Sequence, residues 1–212
     1  MTATQIISKF ELYVGDTTEL STSDELDLLD KVYQQICAER PWEFTKKEKT
    51  GTMDTTTSIT LPSDFSYMPE NLSYTDIALT NNNNAKPVVV WITANGQTTA
   101  FQVVNWSDRR QYQNENNICY LDIVNGKIMF PVAQPAGATY SFDYCFVPAK
   151  LGLSDSPIFP ERFQHALYHG MAVDDMITQL FDKARSYARE NQLAYLGAMQ
   201  QMAYWNANLT AN

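Results

Sequence analysis

The sequence predicts an α+β fold, in which a helical part drawn from both ends of the chain carries an inserted antiparallel β-domain. Three observations predict it. Apolar residues recur at helical spacing before residue 40 and again over 161–206. Between 42 and 147 the apolar period drops to two, the period of a half-buried strand. Prolines then punctuate 148–160, where the pattern changes back. The expected division is 1–40 and 149–212 for the helical part and 41–148 for the β-domain. Helices are expected near 24–39, 161–181 and 183–206, the last two as a long C-terminal pair, with at least five strands between 42 and 147.

Taken in order, residues 3–13 form a short amphipathic segment with Ile6, Ile7 and Phe10 on one side. Thr22 and Glu25 have the spacing of a capping box, which satisfies backbone donors at a helix start. The helix that follows carries Leu26, Leu29, Tyr33 and Ile36 as its buried stripe, with Asp27, Asp30, Lys31 and Gln34 on the polar side. Arg40-Pro41 ends it, and Trp42 and Phe44 follow at strand spacing. Asn125-Gly126 lies between apolar runs, which predicts a type I′ hairpin, and Asn95-Gly96 marks a second candidate hairpin. Asn81 to Asn84 read as an exposed loop tip. Tyr140, Phe142, Tyr144 and Phe146 alternate with Ser141, Asp143 and Cys145, as a strand requires. Pro160 suits the first position of the next helix, with Glu161 at the positive end of its dipole.

At 212 residues and 44% hydrophobic content the chain can build a sizeable core. Its net charge of −9 argues against tight or sequence-specific nucleic-acid binding, which needs clustered Lys and Arg. The basic clusters, Lys46-Lys47-Lys49 and Arg109-Arg110, read as solvated faces. Cys37, Cys119 and Cys145 lie far apart with no Cys-x-x-Cys, so reduced, buried thiols are expected. Thr2 to Gln5 are polar and no long apolar run follows, so neither a signal peptide nor a membrane span is expected.

No motif announces catalysis. His165 and His169 share a helix face, but the metalloprotease pattern needs Glu after the first His, and Ala166 stands there. Gly-x-Ser-x-Gly, phosphate-loop and dinucleotide motifs are missing from the sequence. The chain is expected not to be an enzyme and to need no cofactor or metal. Twelve Tyr and four Trp could stack on bases or sugars, but most fall at core-facing positions. The last helix is the exception. Tyr187, Tyr195, Met199, Met202, Tyr204 and Trp205 offer more apolar surface than a terminal helix pair needs, which points to a partner.

An arrangement of motifs between Arg40 and His165 resembles the head-to-tail connector or adaptor proteins of double-stranded DNA bacteriophages. It runs as the hairpin Gly126, Pro131, Pro135, the Tyr-rich strand Tyr140 to Tyr144, Pro148 to Leu151, the acidic linker Asp155 to Pro157, and Pro160 to His165. Upstream, Arg40-Pro41-Trp42-Glu43-Phe44 and the strand closed by Leu61-Pro62 are similar to segments of the same family, in the same order. Many of those connectors are nearly all helical, so the large β-insert here brings the chain closer to the tubular neck proteins of short-tailed phages.

What the resemblance implies is structural. Such subunits form a ring, commonly dodecameric, that binds the portal protein above and tail or nozzle proteins below. Genomic DNA passes through without specific binding. The chain would sit at the virion neck, and in the host cytoplasm during assembly, with no membrane partner. The C-terminal segment commonly reaches the portal, so Tyr195, Met199, Met202, Tyr204 and Trp205 are the expected portal or subunit interface. The alternative is a β-rich tail or baseplate module that binds host glycans through exposed Trp and Tyr.

Overall fold

A computed structural model describes residues 1–15, 20–53, 57–69, 88–113 and 115–210. The loop tip expected at Asn81 to Asn84 lies outside them. The chain divides into two compact units, Lys46–Phe146 and a second made of Met1–Thr45 with Val147–Asn212. The fold is α+β, as the change of apolar period predicts.

The helical unit begins with α1 (Ala3–Val14), capped by the Thr2 hydroxyl, which buries Ile6, Ile7, Phe10 and Val14. Helix α2 (Thr22–Ala38) starts one residue before the predicted box: Ser21 is the cap and Asp24 closes it. Asp30 is not on the solvated side. It is buried, and its carboxylate accepts the backbone N–H of Leu151 at 2.8 Å. Trp42 is fully buried and donates its indole N–H to the carbonyl of Ile36 at 2.6 Å, which closes the end of α2.

The helix expected over 161–181 is broken. Pro160 has an extended ψ of 139° and caps only a 3₁₀ turn, Glu161–Phe163. Helix α3 (His165–Ala172) follows, then α4 (Asp175–Leu180). Between them Asp174 is extended and its side chain accepts the N–H of Met176, which restarts the chain as a new helix. A short α5 (Asp182–Ser186) precedes the long α6 (Ala188–Thr210). Two basic side chains satisfy carbonyls at helix ends. The Lys183 ammonium donates to Leu12 O near the end of α1, and the Arg185 guanidinium donates to Thr178 O and Gln179 O at the end of α4.

The β-unit holds β1 (Lys46–Thr52), β2 (Ser58–Thr60), β3 (Phe65–Tyr67), β4 (Val89–Ala94), β5 (Gln97–Asn105), β6 (Ile118–Asp122), β7 (Lys127–Met129) and β8 (Thr139–Phe146). They join one sheet in the order β1-β8-β4-β5-β6-β7-β2, with β3 also on β8. The sheet is mixed, because β5 and β6 run parallel while the other pairs are antiparallel. A wholly antiparallel domain is therefore corrected in this one pairing. The segment 106–117 makes it possible, since a parallel neighbour needs a return crossover rather than a tight turn.

Strands β1 and β2 stand at opposite ends of the order although few residues join them. A chain from Thr52 to Ser58 reaches at most about 21 Å at roughly 3.5 Å per residue. A flat sheet of that order would need about 29 Å at roughly 4.8 Å per strand. The sheet must therefore curl, and Val90, Phe101, Cys119, Ile128 and Phe142 fill its core.

The two Asn-Gly turns differ. At Asn95-Gly96 both residues have positive φ, 53° and 77°, as a type I′ turn requires. At Asn125-Gly126 only Gly126 does, at 62°. There the Asp122 carboxylate accepts the backbone N–H of Asn125 at 3.1 Å and its amide at 2.8 Å, which widens the turn to Ile123–Gly126. Those bonds, the side-chain one foremost, hold the Asp122 carboxyl below the usual carboxylate range.

Candidate functional site

The five residues expected at the interface, Tyr195, Met199, Met202, Tyr204 and Trp205, all lie on α6, which the structure divides into two faces. Toward its own unit α6 buries Asn191, Ala198, Met199, Met202 and Asn206. Met202 is 0% exposed. Asn206 ties the helix down: its side-chain oxygen accepts the backbone N–H of Glu43 at 2.7 Å. Trp205 packs on Phe163 with ring centroids 5.6 Å apart, and the Arg162 guanidinium lies over both rings. Tyr195 is half-buried over Gly170, whose missing Cβ leaves room for the ring.

The apolar surplus read from sequence is thus mostly used inside the subunit. Met199 and Met202 are core residues, Trp205 and Tyr195 are half-buried against their own unit, and Tyr204, at 74% exposure, faces solvent. The other exposed apolar residues of α6 are ones the sequence pattern passed over: Leu193, Leu196 and Leu209. Periodicity identifies two stripes on such a helix but not which of them the protein covers. Methionine and leucine are equally good candidates for either.

More exposed apolar side chains lie elsewhere on the helical unit. Leu12 and Tyr13 end α1, Met176 and Leu180 belong to α4, and Tyr187 joins α5 to α6. A cavity of about 620 Å³ opens among Leu12, Tyr13, His169, Lys183, Tyr187 and Asn191. Asn191 is buried in its wall, with its side-chain oxygen on His169 Nδ1 at 3.0 Å and its amide nitrogen without a partner.

The two histidines are structural in their surroundings. His165 opens α3 with Nδ1 2.8 Å from Arg162 O. His169 packs against the rings of Tyr13 and Tyr168, with centroids 4.9 Å and 4.7 Å away, and those two rings stack on each other at 5.3 Å. Burial pushes the His169 pKa below the usual imidazole value, against the opposing effect of its Asn191 bond. Among the described residues no group of three or more His, Cys, Asp or Glu could hold a metal ion. None of the three cysteines is in a disulfide and all are buried, and burial pushes the Cys37 thiol up to about 12.

Of the two basic clusters, Lys47 forms an ion pair with Asp64 at 2.8 Å and lies over the Phe146 ring. Hydrogen bonding from Lys47 holds the Asp64 carboxyl below its usual range. Arg109 lies over Trp106 and donates to its carbonyl at 2.8 Å. Both are held by local contacts. Among the described residues no helix is long and apolar enough to cross a membrane.

Among the described residues most of the exposed large apolar side chains therefore lie on the helical unit, with Trp106, Ile123, Val124 and Val132 exposed on the β-unit. No curated protein matches the chain. The sequence pattern of the SU10 adaptor proteins, by contrast, matches residues 1–211. The chain belongs to the SU10 adaptor protein family, a family of phage head-to-tail adaptors, and is a structural component of the virion.

Proposed function

We propose that copies of this chain close into a ring between portal and tail at the virion neck, a dodecamer by analogy with the connectors it resembles. The helical part, residues 1–40 and 149–212, serves as the docking platform, and the β-domain, 41–148, extends the wall of the DNA conduit. The observation that carries this reading is the spread of exposed apolar side chains over the helical unit: Leu12, Met176, Leu180, Leu193, Leu196 and Tyr204. Scattered single apolar residues are ordinary on a surface, but this many on one helical unit suit a protein with more than one neighbour. A net charge of −9 suits a conduit, since DNA slides past an acidic wall and would be held by a basic one.

A ring requires heterologous contacts, in which one patch of each subunit meets a different patch of the next. The portal contact is assigned to the end of α6, from Tyr204 through Leu209 to the polar tail. Met199, Met202 and Trp205 support that end from within rather than touching the portal. Removing everything after Gln201 would therefore strip Met202 and Asn206 from the core as well as the docking surface. Tyr204→Asp with Leu209→Asp is the cleaner variant. It should keep the wild-type melting temperature and lose binding to isolated portal rings. Equal portal binding by the variant and the wild type would place the portal contact elsewhere on the molecule.

A further inference from the structure

From Asn191 onward α6 carries no charge; the exposed Arg189 and Glu190, of opposite sign, stand in its first turn. Residues 191–212 contain no Asp, Glu, Lys or Arg, in a protein that is 18% charged. At 100° per residue, Leu193, Leu196, Gly197 and Gln200 lie opposite the buried Ala198 and Met202. Leu193, Leu196 and Gln200 are exposed.

Gly197 is the unusual residue of this face. Glycine inside a helix lowers its stability, so its presence asks for a reason. The backbone gives none, because Gly197 is not among the positive-φ glycines. The packing gives none either, because an added Cβ would meet nothing within 4 Å. Gly170 on α3 is the contrast: a Cβ there would sit 2.6 Å from Val32 Cγ1. What glycine does provide at 197 is a shallow notch beside the exposed Leu193 and Leu196, where another backbone can come close.

Resting on the ring reading above, we propose that the Leu193–Gln200 part of this face, one turn short of the Tyr204 end assigned to the portal, packs against a second copy of the chain, with Gly197 at the closest approach. Charge decides the occupant. Each copy carries −9, and like charges oppose association over roughly 8–10 Å at physiological salt. Two copies meet at least electrostatic cost where neither side presents a charge, and 191–212 is the longest such stretch in the helical unit. A basic partner would be drawn instead to acidic surface such as the exposed Asp24 and Asp27 of α2. Depletion of charge with retention of large apolar side chains is also the composition of an interface core.

The test uses full-length Gly197→Leu and Leu196→Glu, with particle mass measured for the protein alone and on isolated portal rings. Gly197→Leu should melt at or above the wild-type temperature, since leucine favours the helix and its Cβ meets nothing within 4 Å. Both variants should fall to single copies where the wild type forms multi-copy particles. If the wild type forms such particles and both variants match its copy number, the contact is overturned and the ring reading stands. If the wild type forms none in either setting, both fall together. Should either variant melt lower, the thiol of Gln200→Cys decides, because the native cysteines are buried. Its maleimide labelling should slow at least tenfold on assembly, and an unchanged rate overturns the contact.

Discussion

Asp30, 5% exposed, accepts the backbone N–H of Leu151 at 2.8 Å and so fastens α2 to the segment that returns into the helical unit. The bond spans 121 residues of chain, with the whole β-unit between its ends. It makes the inserted domain compatible with one helical core, because the return point is held by a charge-assisted bond as well as by packing. Asp30→Ala leaves a buried N–H without a partner and should cost about 1–3 kcal/mol. Asp30→Asn keeps an acceptor and should cost less. Urea denaturation of the two variants checks the order, and equal losses would contradict it.

Gly170 supports α6 from below. A Cβ at this position would stand 2.6 Å from Val32 Cγ1 and 3.2 Å from the Tyr195 ring. Valine is stiff at χ1 and cannot swing clear. Gly170→Ala should therefore destabilise the helical unit by about 1–3 kcal/mol, as overpacking does, despite alanine's better helix propensity. Thermal denaturation is the check, and a rise in melting temperature would refute the close packing.

How much of this was legible in the sequence depends on the kind of residue that decides each feature. Asn95-Gly96 was legible because both residues adopt the left-handed conformations its type implies. Asn125-Gly126 has the same letters, but the Asp122 carboxylate three residues before Asn125 captures that residue and changes the turn. The long helix over 161–181 fails at Asp174, where capping of Met176 competes with continuation and also places a carboxylate 2.6 Å from Lys31. That tertiary partner is invisible in one dimension. The same holds for α6, where spacing gives two apolar stripes and only the packing of Met199 and Met202 says which is inside.

His169 makes stability depend on mild acid. Its folded-state pKa lies below the ordinary value, chiefly through burial, so the folded protein resists protonation. The corresponding stability is fully present above the ordinary imidazole range and is lost as pH falls through the folded-state value. Melting temperature should drop between about pH 7 and about pH 5 in the wild type, and drop less in His169→Gln. Parallel curves would show that His169 does not carry the effect.

Trp205 and Tyr204 are neighbours with opposite assignments. Trp205→Ala removes packing on Phe163 and should cost about 1–3 kcal/mol, less than for a fully buried aromatic. Tyr204→Ala should change stability by no more than about 0.5 kcal/mol. The same substitution should weaken portal binding at least tenfold, as truncation of an interface anchor does. Denaturation and portal pull-down on the two variants separate support of the helix from contact with the partner.

The central claim is that this chain forms a ring on the portal. Mass measurement of isolated portal rings, before and after mixing with the full-length protein at physiological salt, tests it most directly. The account predicts one heavier species whose added mass is a fixed whole number of 24.1 kDa subunits. A portal ring of unchanged mass, with the added protein remaining monomeric beside it, would contradict it.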